Sequence, residues 1–381
     1  MMTRKQTTRI RPARGWLLPA LGALGLAYLA WSRADRAPPP APAGGPIRRR
    51  EIGVDAGRGN LLGLQPRLFP ADYASAGQFH ARLDRYFAAA AGLLTPRTVV
   101  VLPEYLGTWL CFAGEKAGVF RAGSLAGALG LTAAGNLPAL PWPLLHSHEA
   151  QRLAAALIRL KATQAAAIYH RVMSALARRY AVHVVAGSIL LPAPRVSGGT
   201  LHAGDGPLYN TAVLYRPDGA AVDPPVRKCC PTAEEEPLLA PGSDEALPVF
   251  DTPAGRLGVL ICADAWFPAP YDRLRAQGVE LIAVPSYSVH DPAEPWTGYS
   301  GAPAPPDVNP GDVGRLTRAD AWRTYALAGR IARSGARAGI NVFLFGALWG
   351  MCARGEAAAV RADRAMCIPA DDGIGLVNLW L

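Results

Sequence analysis

The sequence lacks the short motifs by which several large enzyme classes are recognised. It has no Gly-x-Ser-x-Gly and no phosphate-binding loop, so serine hydrolases of that type and nucleoside triphosphatases have no support. Its six cysteines form no Cys-x-x-Cys pair and no zinc-finger spacing, and six in 381 residues do not make a disulfide scaffold. Lysine is scarce, because only four of the 39 basic residues are Lys, at positions 5, 116, 161 and 228. Each lysine is therefore a candidate functional residue.

Acidic residues are nearly absent from the first 50 positions, and this accounts for the basic net charge of +10. Residues 1–50 hold ten Lys or Arg and a single acid, Asp35. The other 331 residues hold 29 basic and 28 acidic groups, so the body of the chain is almost neutral. Because a nucleic-acid-binding domain carries its positive charge on the folded body, we predict no nucleic-acid partner.

The N-terminal region predicts attachment to a membrane. Residues 1–14 form a basic tail without acids, and residues 15–31 (GWLLPALGALGLAYLAW) carry no charge. As a helix this run would be about 25 Å long, slightly less than the ~30 Å hydrocarbon core. A basic flank before an apolar run is typical of a signal peptide or signal anchor. We favour an uncleaved transmembrane anchor that leaves the rest of the chain on the extracytoplasmic (periplasmic) side; a cleaved signal and an ordinary buried helix are the alternatives.

The rest of the chain predicts a linker and one α/β domain. Residues 32–58 contain PPPAPAGGP and are interpreted as a Pro-rich linker, so the folded domain occupies residues 59–381. There, short apolar runs typical of strands alternate with longer helical patterns, among them residues 320–337, which favours an α/β fold with functional groups at strand ends. Residues 106–147 form a long Gly/Leu/Trp/Pro-rich stretch directly after Glu104. We interpret this stretch as a lid over an apolar substrate; a surface that rests on a membrane and plain packing are the alternatives.

Three reactive side chains follow apolar strands. Glu104 ends the segment TVVVLPE, Lys228 comes after the strand YNTAVLY and its turn, and Cys262 ends GRLGVLIC. The carboxyl ends of strands are where α/β folds assemble their sites, so these three are our candidate catalytic residues. A thiol is a strong nucleophile only as a thiolate and needs a base close by, which a carboxylate provides. A lysine ammonium can hold the oxyanion that forms when the thiol attacks.

In order and residue type these segments resemble the three signature blocks of the nitrilase superfamily of carbon–nitrogen hydrolases. The resemblance covers roughly residues 59–381 and is most specific at Gly-Val-Leu-Ile-Cys262-Ala-Asp, with Phe-Pro close behind. It implies a four-layer α-β-β-α sandwich. It also implies that Glu104 is the general base, Lys228 the oxyanion stabiliser and Cys262 the nucleophile that forms a thioester acyl-enzyme.

The resemblance implies roles for neighbouring residues as well. The backbone N–H of Ala263 would be a second oxyanion donor, and Asp264 would support the loop after the nucleophile. Many family members use a second Glu between the Lys and the Cys. We favour Glu236, eight residues after Lys228, with Glu235 as the next choice. The family usually has a large aromatic residue where this chain has Ala263, a departure that concerns the pocket wall and the substrate class.

These residues predict an enzyme that hydrolyses the carbon–nitrogen bond of a small-molecule amide or nitrile, without a metal or another cofactor. The triad does not distinguish amides from nitriles. One alternative is an N-acyltransferase that passes the acyl group to an amine, as in the apolipoprotein N-acyltransferase branch of the superfamily. Another is a catalytically idle binding module with the same fold. Because the family commonly dimerises, a homodimer is possible.

Overall fold

The computed structural model describes residues 17–243, 247–299, 304–361, 364–369 and 374–381. Within these residues the strands form two large sheets and two small hairpins. In spatial order the first sheet contains β1 (Arg48–Ile52), β17 (Ile374–Trp380), β2 (Asn60–Leu64), β3 (Thr98–Val101), β4 (His183–Pro192), β7 (Leu208–Tyr215) and β8 (Val226–Arg227). The second contains β16 (Arg364–Ile368), β15 (Ala357–Arg361), β12 (Ala338–Phe343), β11 (Leu281–Ser286), β10 (Gly255–Val259) and β9 (Val249–Thr252). The hairpins are β5 (Arg195–Ser197) with β6 (Thr200–His202), and β13 (Gly346–Leu348) with β14 (Met351–Ala353).

The described α-helices connect these strands. They are α1 (Leu17–Arg33), α2 (Ala76–Ala89), α3 (Ala117–Arg121), α4 (Leu125–Gly135), α5 (Pro141–Leu145), α6 (Arg152–Tyr180), α7 (Pro268–Ala276), α8 (Arg318–Tyr325) and α9 (Leu327–Ser334). Six short 3-10 turns are also described: Pro70–Tyr73, Ala91–Leu93, Thr108–Phe112, Leu137–Ala139, Cys262–Trp266 and Pro310–Asp312. The helix expected at the C-terminal end of the domain, residues 320–337, is broken at Ala326 into α8 and α9.

The two large sheets face each other, and helices cover their outer faces. Leu61 of β2 and Val259 of β10 belong to one apolar cluster between the sheets. The sheets come close at Gly63, where an added Cβ would lie 2.3 Å from a methyl of Val342. On its other face the first sheet packs through Leu62 and its neighbours against α2 and α6, while α7 and α9 cover the second sheet. The α/β class is therefore confirmed, and the layers follow the expected α-β-β-α order.

The central strands are buried on both faces, and this explains their composition. β2, β3 and β4 run parallel in the first sheet, as do β10, β11 and β12 in the second. A parallel strand between two layers cannot alternate apolar and polar residues, because neither face meets water. The segments TVVV and LIAVPS are almost wholly apolar for this reason. Both reactive strand ends, at Glu104 and Cys262, belong to this buried central region.

The N-terminal region differs from the sequence-based expectation. Most of the predicted membrane span, residues 15–31, forms α1, and the basic tail 1–14 lies outside the described residues. Within the part of the chain that the structure describes, no helix is both long and apolar enough to cross a membrane. The predicted transmembrane helix is thus not supported.

Residues 32–58, interpreted as a linker, are bound to the domain. The side-chain amide of Gln78 donates to the carbonyl of Pro39 at 2.6 Å, and Arg82 donates to the carbonyl of Pro42. Farther along, β1 pairs in parallel with β17 and so extends the first sheet. The sequence RRREI gave no strand signal because β1 is an edge strand with mostly exposed side chains.

Candidate active site

The backbone around Glu104 is held in place by the neighbouring strand. Gly187 in β4 has a φ of +73°, and a Cβ there would lie 2.1 Å from the carbonyl oxygen of Pro103. Only glycine therefore allows β4 to pass so close to the residue before Glu104. The N–H of Tyr105 donates to the hydroxyl of Ser188 at 2.8 Å. These contacts fix the buried Glu104 carboxylate at the end of β3.

Lys228 lies directly after β8, and its ammonium bridges two buried carboxylates. Its Nζ is 2.8 Å from Oε1 of Glu104 and 2.6 Å from Oε2 of Glu235. The side-chain amide of Asn210 donates to both carboxylates, at 2.8 Å to Glu104 and 3.2 Å to Glu235. The backbone N–H of Lys228 donates to the carbonyl of Asn210, which fixes the start of the lysine side chain. Since Lys228 is only 2% exposed, the ammonium is held at one position.

The second glutamate beside Lys228 is Glu235, and the favoured Glu236 does not lie there. Glu235 is buried and also accepts a hydrogen bond from the hydroxyl of Tyr105, whereas Glu236 is exposed. A tight turn decides between them, because the N–H of Thr232 donates to Oε2 of Glu235 at 2.8 Å. Three consecutive glutamates carry no sequence signal that says which one the turn directs inward.

Cys262 is the third residue after β10 and the first of a 3-10 turn, and it has a φ of +50°. A non-glycine residue in this region costs of order 1–3 kcal/mol and persists only where its surroundings impose it. The residue is 6% exposed and lines a cavity inside the domain. Its Sγ lies 3.6 Å from the carbonyl oxygen of Tyr287. The turn thus directs the thiol to the cavity that Glu104 and Lys228 also line.

Asp264 joins the loop of the lysine to the loop of the thiol. Its Oδ1 accepts from the backbone N–H groups of Cys229 and Cys230, at 2.9 and 2.8 Å, directly after Lys228. Its Oδ2 accepts from the N–H of Ile261, directly before Cys262, at 3.0 Å. The carboxylate is fully buried, so these three bonds replace its hydration. Next to it, Ala263 forms part of the cavity wall.

The charges in the site shift the pKa values of its members in different directions. Burial raises the pKa of Glu104 to about 7; Lys228 opposes this increase and the charge of Glu235 adds to it. Burial and the charge of Glu104 hold the pKa of Cys262 well above its usual value, so the resting group is a thiol. Burial would lower the pKa of Lys228, but its anionic neighbours outweigh that effect and raise it.

The pKa values of the two supporting carboxylates, Glu235 and Asp264, shift in opposite directions. Burial would raise the pKa of Glu235, but the ammonium of Lys228 and several hydrogen bonds lower it overall, so this group stays ionised. Burial raises the pKa of Asp264 to about 6, although Lys228 and three backbone N–H groups oppose the increase. At neutral pH the site therefore combines a thiol, a fixed cation and a base, Glu104, that can take up and release a proton.

The reactive groups lie in a cavity of about 450 Å³ with a predominantly apolar wall. This volume is within the usual range for small-molecule sites. Aromatic side chains dominate the wall beyond the reactive groups: Tyr105, Trp109, Phe112, Trp266, Tyr287, Trp296, Tyr299, Trp322 and Phe343. Residues 106–147, interpreted as a lid, are mostly short helices, and both the turn Thr108–Phe112 and α4 contribute to the wall. Among the described residues, no three His, Cys, Asp or Glu side chains are grouped to hold a metal ion.

Comparison with known proteins gives a family and several partial matches. A family model described as carbon-nitrogen hydrolase matches residues 64–345. Nitrilase 2 of Arabidopsis thaliana is 37% identical over 79 residues, which are 21% of this chain and 23% of that protein. Deaminated glutathione amidase of Yersinia enterocolitica is 50% identical over 52 residues, or 14% of this chain and 18% of that protein. The chain thus matches less than a quarter of the length of these two relatives.

Two solved structures resemble the chain over most of its length. An amidase from Nesterenkonia sp. has a TM-score of 0.48 at 15% identity and covers 91% of this chain and 94% of its own. A carbon-nitrogen hydrolase from Helicobacter pylori G27 has a TM-score of 0.49 at 16% identity and covers 84% of this chain and 88% of its own. The family match itself extends from the end of β2 to just past β12 and includes Glu104, Lys228 and Cys262. The chain therefore belongs to the carbon-nitrogen hydrolase family.

Proposed function

We propose that this protein hydrolyses the carbon–nitrogen bond of small amides or nitriles through a thioester on Cys262. The observation that carries the proposal is the position of the Lys228 ammonium, 2.8 Å from Glu104 and 2.6 Å from Glu235, in the cavity that the Cys262 thiol also lines. A nucleophile, a base and a fixed cation around one cavity are the groups that acyl transfer to sulfur requires. The mechanism uses no metal or other cofactor.

In the first half of the reaction with an amide, Glu104 takes the proton of the Cys262 thiol as sulfur attacks the carbonyl carbon. Proton removal accompanies the attack, because the raised pKa of Cys262 makes a free thiolate unfavourable. The C–S bond forms, and the carbonyl oxygen becomes an oxyanion held by Lys228 and the N–H of Ala263. When the intermediate collapses, the C–N bond breaks and the leaving amine takes the proton from Glu104.

In the second half, Glu104 takes a proton from water while the water oxygen attacks the thioester. The C–S bond then breaks, the carboxylic acid leaves, and the proton returns from Glu104 to the sulfur. Glu235 and Asn210 orient the side chains of Lys228 and Glu104. Asp264 holds the loop after Lys228 against the loop before Cys262. A base whose pKa is about 7 suits both directions of proton transfer near neutral pH.

The cavity favours a bulky, apolar acyl group. Ala263 stands directly after the nucleophile, so no large side chain fills the space there. Trp266, Trp296 and Trp322 lie close to one another on the same wall, with Trp266 in edge contact with Trp322. Flat aromatic walls bind apolar and aromatic groups well, because they offer a large contact area at a small entropic cost. We therefore place aryl or branched alkyl amides and nitriles first among the substrates.

Intact-protein mass spectrometry tests the proposal. The protein is incubated with aryl and alkyl amides and nitriles and then quenched with acid. We expect an added mass equal to the acyl group on the wild type and on Cys230→Ala, the matched control with a neighbouring cysteine removed. We expect no added mass and no product with Cys262→Ala.

Product formation by Cys262→Ala would refute the thioester mechanism. If no substrate in the set gives an adduct or a product with the wild type, a binding module that keeps the fold becomes the better assignment. Acyl transfer to an added amine in preference to water would identify an acyltransferase instead.

The extracytoplasmic location and the homodimer stay proposals. The location rests on the order of a basic segment and an apolar run in residues 1–31. Protease digestion of intact cells and of spheroplasts tests it, since a periplasmic domain is cleaved only after the outer barrier is opened. Sedimentation velocity of the purified protein measures the oligomeric state; a monomer at all concentrations would exclude the dimer.

A further inference from the structure

Helix α1 exposes an apolar surface on nearly every side. From residue 19 to residue 31 every side chain is exposed except Tyr28, which is half-buried. The exposed fractions of Leu21, Leu24 and Leu26 are 63%, 66% and 70%. A helix that is apolar all round is ordinarily buried in a protein core or in lipid. The domain covers only the C-terminal end of α1, so its remaining surface needs another apolar environment.

The C-terminal end of α1 is fixed to the domain. The hydroxyl of Tyr28 donates to the carbonyl of Ala134 at 3.0 Å and accepts from the N–H of Leu137 at 3.0 Å. The ammonium of Lys116 donates to the carbonyl of Trp31 at 2.6 Å and lies 4.7 Å from the centre of its ring. The position of α1 relative to α4 is thereby set, and the helix and the nearby surface act together.

A second exposed apolar surface lies close to the base of α1. We name it the apolar shelf; it consists of Leu131, Leu137, Trp142 and Leu145. Leu137 is 54% exposed, Trp142 70% and Leu145 66%. The shelf is adjacent to α1, because the N–H of Leu137 donates to Tyr28. Several large apolar side chains exposed together, rather than scattered singly, are typical of an interaction surface.

We propose that α1 and the apolar shelf form one docking surface for an anionic lipid bilayer, with α1 inserted among the acyl chains and the shelf resting at the headgroup level. This places the domain against the membrane through two elements at once. The surface also borders the active site, because α4 carries Leu131 of the shelf and contributes Leu125 and Leu129 to the cavity wall.

The residues around this surface favour lipid over a second copy of the chain. Tyr28 and Trp31 lie where α1 meets the domain, and Trp142 lies on the shelf; Trp and Tyr concentrate at the membrane–water interface. Residues 1–14, before α1, hold five basic residues and no acid, although the body of the chain is almost neutral. Localised positive charge next to apolar surface is the combination that anionic lipid attracts.

Vesicle flotation of the full chain, purified in detergent and then diluted out of it, tests the proposal. The vesicles contain phosphatidylcholine with phosphatidylglycerol, or phosphatidylcholine alone. Two double variants change the surface: Leu24→Glu with Leu26→Glu in α1, and Trp142→Glu with Leu145→Glu on the shelf. The matched control is Val54→Glu with Val313→Glu, which adds the same charge at exposed valines elsewhere.

We expect the wild type and the control to float with the anionic vesicles, less so at high salt. Each surface variant should lose vesicle binding roughly tenfold or more, because a carboxylate is costly in the acyl or interfacial region. Circular dichroism melting curves identify any variant that fails to fold; for such a variant, Leu24→Ser or Trp142→Ser replaces the acid.

Three results would overturn the proposal. The first is a wild type that binds neither type of vesicle. The shelf variant could float as well as the wild type, which would remove the shelf from the docking surface. A dimer in sedimentation velocity that α1 variants convert to a monomer, without vesicle binding by the wild type, would assign the surface to a second copy. None of these readouts depends on catalytic activity.

Discussion

Replacing Glu235 with Gln is the sharpest test of how the site holds Lys228. The carboxylate oxygen is 2.6 Å from Nζ, and at an effective dielectric of 20 this contact corresponds to about 6 kcal/mol of gross Coulomb attraction. Desolvation of both buried ions offsets most of it, and the net value of a hydrogen bond to a charged group is about 1.5–3 kcal/mol. If Glu235 holds the ammonium where the oxyanion forms, the loss in kcat is about 10- to 150-fold.

The same substitution changes the pH dependence in a defined direction. Glu104 must be ionised to act as base, so kcat/KM falls as the pH decreases through its pKa, which burial raises to about 7. The negative charge of Glu235 contributes to that increase. Removing the charge therefore lowers the pKa of Glu104, and the acidic limb of the profile moves to lower pH. A merely structural role for Glu235 would lower activity without this shift.

The assay compares pH profiles of kcat/KM for the wild type, Glu235→Gln and Glu236→Gln on one amide substrate. Glu236 is the matched control, because it is adjacent in sequence and exposed. We expect Glu236→Gln to follow the wild type at every pH. Equal losses in the two variants, or an acidic limb that moves to higher pH in Glu235→Gln, would refute the reasoning.

Three further changes have defined outcomes. Glu104→Gln should abolish turnover and also flatten the pH dependence of stability. In the wild type the pKa of Glu104 rises from 4.5 to about 7 on folding, so about 3 kcal/mol of unfolding free energy is lost as the pH rises through this window. Urea titrations of the wild type and the variant at pH 4.5 and 8 measure this loss of unfolding free energy. An equal loss in both proteins would contradict the prediction. Asp264→Asn turns an NH2 group towards at least one backbone N–H donor and should lower the unfolding free energy by about 1–3 kcal/mol. Thermal melting tests this, and an unchanged melting temperature would show that the loops do not depend on Asp264. Ala263→Phe should lower kcat/KM for aryl amides about 5- to 150-fold, since overpacking costs about 1–3 kcal/mol, while small amides react as before. Equal effects on both substrates would show that the cavity wall does not select the acyl group.

Several features of the site could be identified from the sequence because their causes are local. Glu104 and Cys262 each follow an apolar segment too short for a helix, and a polar residue at such a strand end is visible without any tertiary information. Lys228 was noticeable as one of only four lysines. The structure brings these three positions to one cavity. Ala263 lines that cavity, and Asp264 is buried between the two loops.

Other features depend on contacts that no local pattern encodes. β1 has an exposed and basic sequence, and it is a strand only because the edge of β17 offers unpaired backbone groups to it. Residues 320–337 have the spacing of a single helix, yet they break at Ala326. A Cβ on Gly329 would lie 1.9 Å from the carbonyl oxygen of Thr324, so α8 and α9 approach each other more closely than a continuous helix permits.

The sequence by itself determined the α/β class, the order of the reactive residues and the near-neutral charge of the body, because periodicity, residue type and composition are properties of the chain alone. The tertiary structure decided which glutamate reaches Lys228 and how residues 106–147 fold around the cavity. It also decided the pKa of Glu104, which burial raises against the attraction of Lys228. The fold of residues 106–147 and the pKa of Glu104 depend on groups far apart in sequence, such as Glu104 and Lys228, which only folding brings together. The choice of Glu235 depends on a short turn whose direction its packing sets.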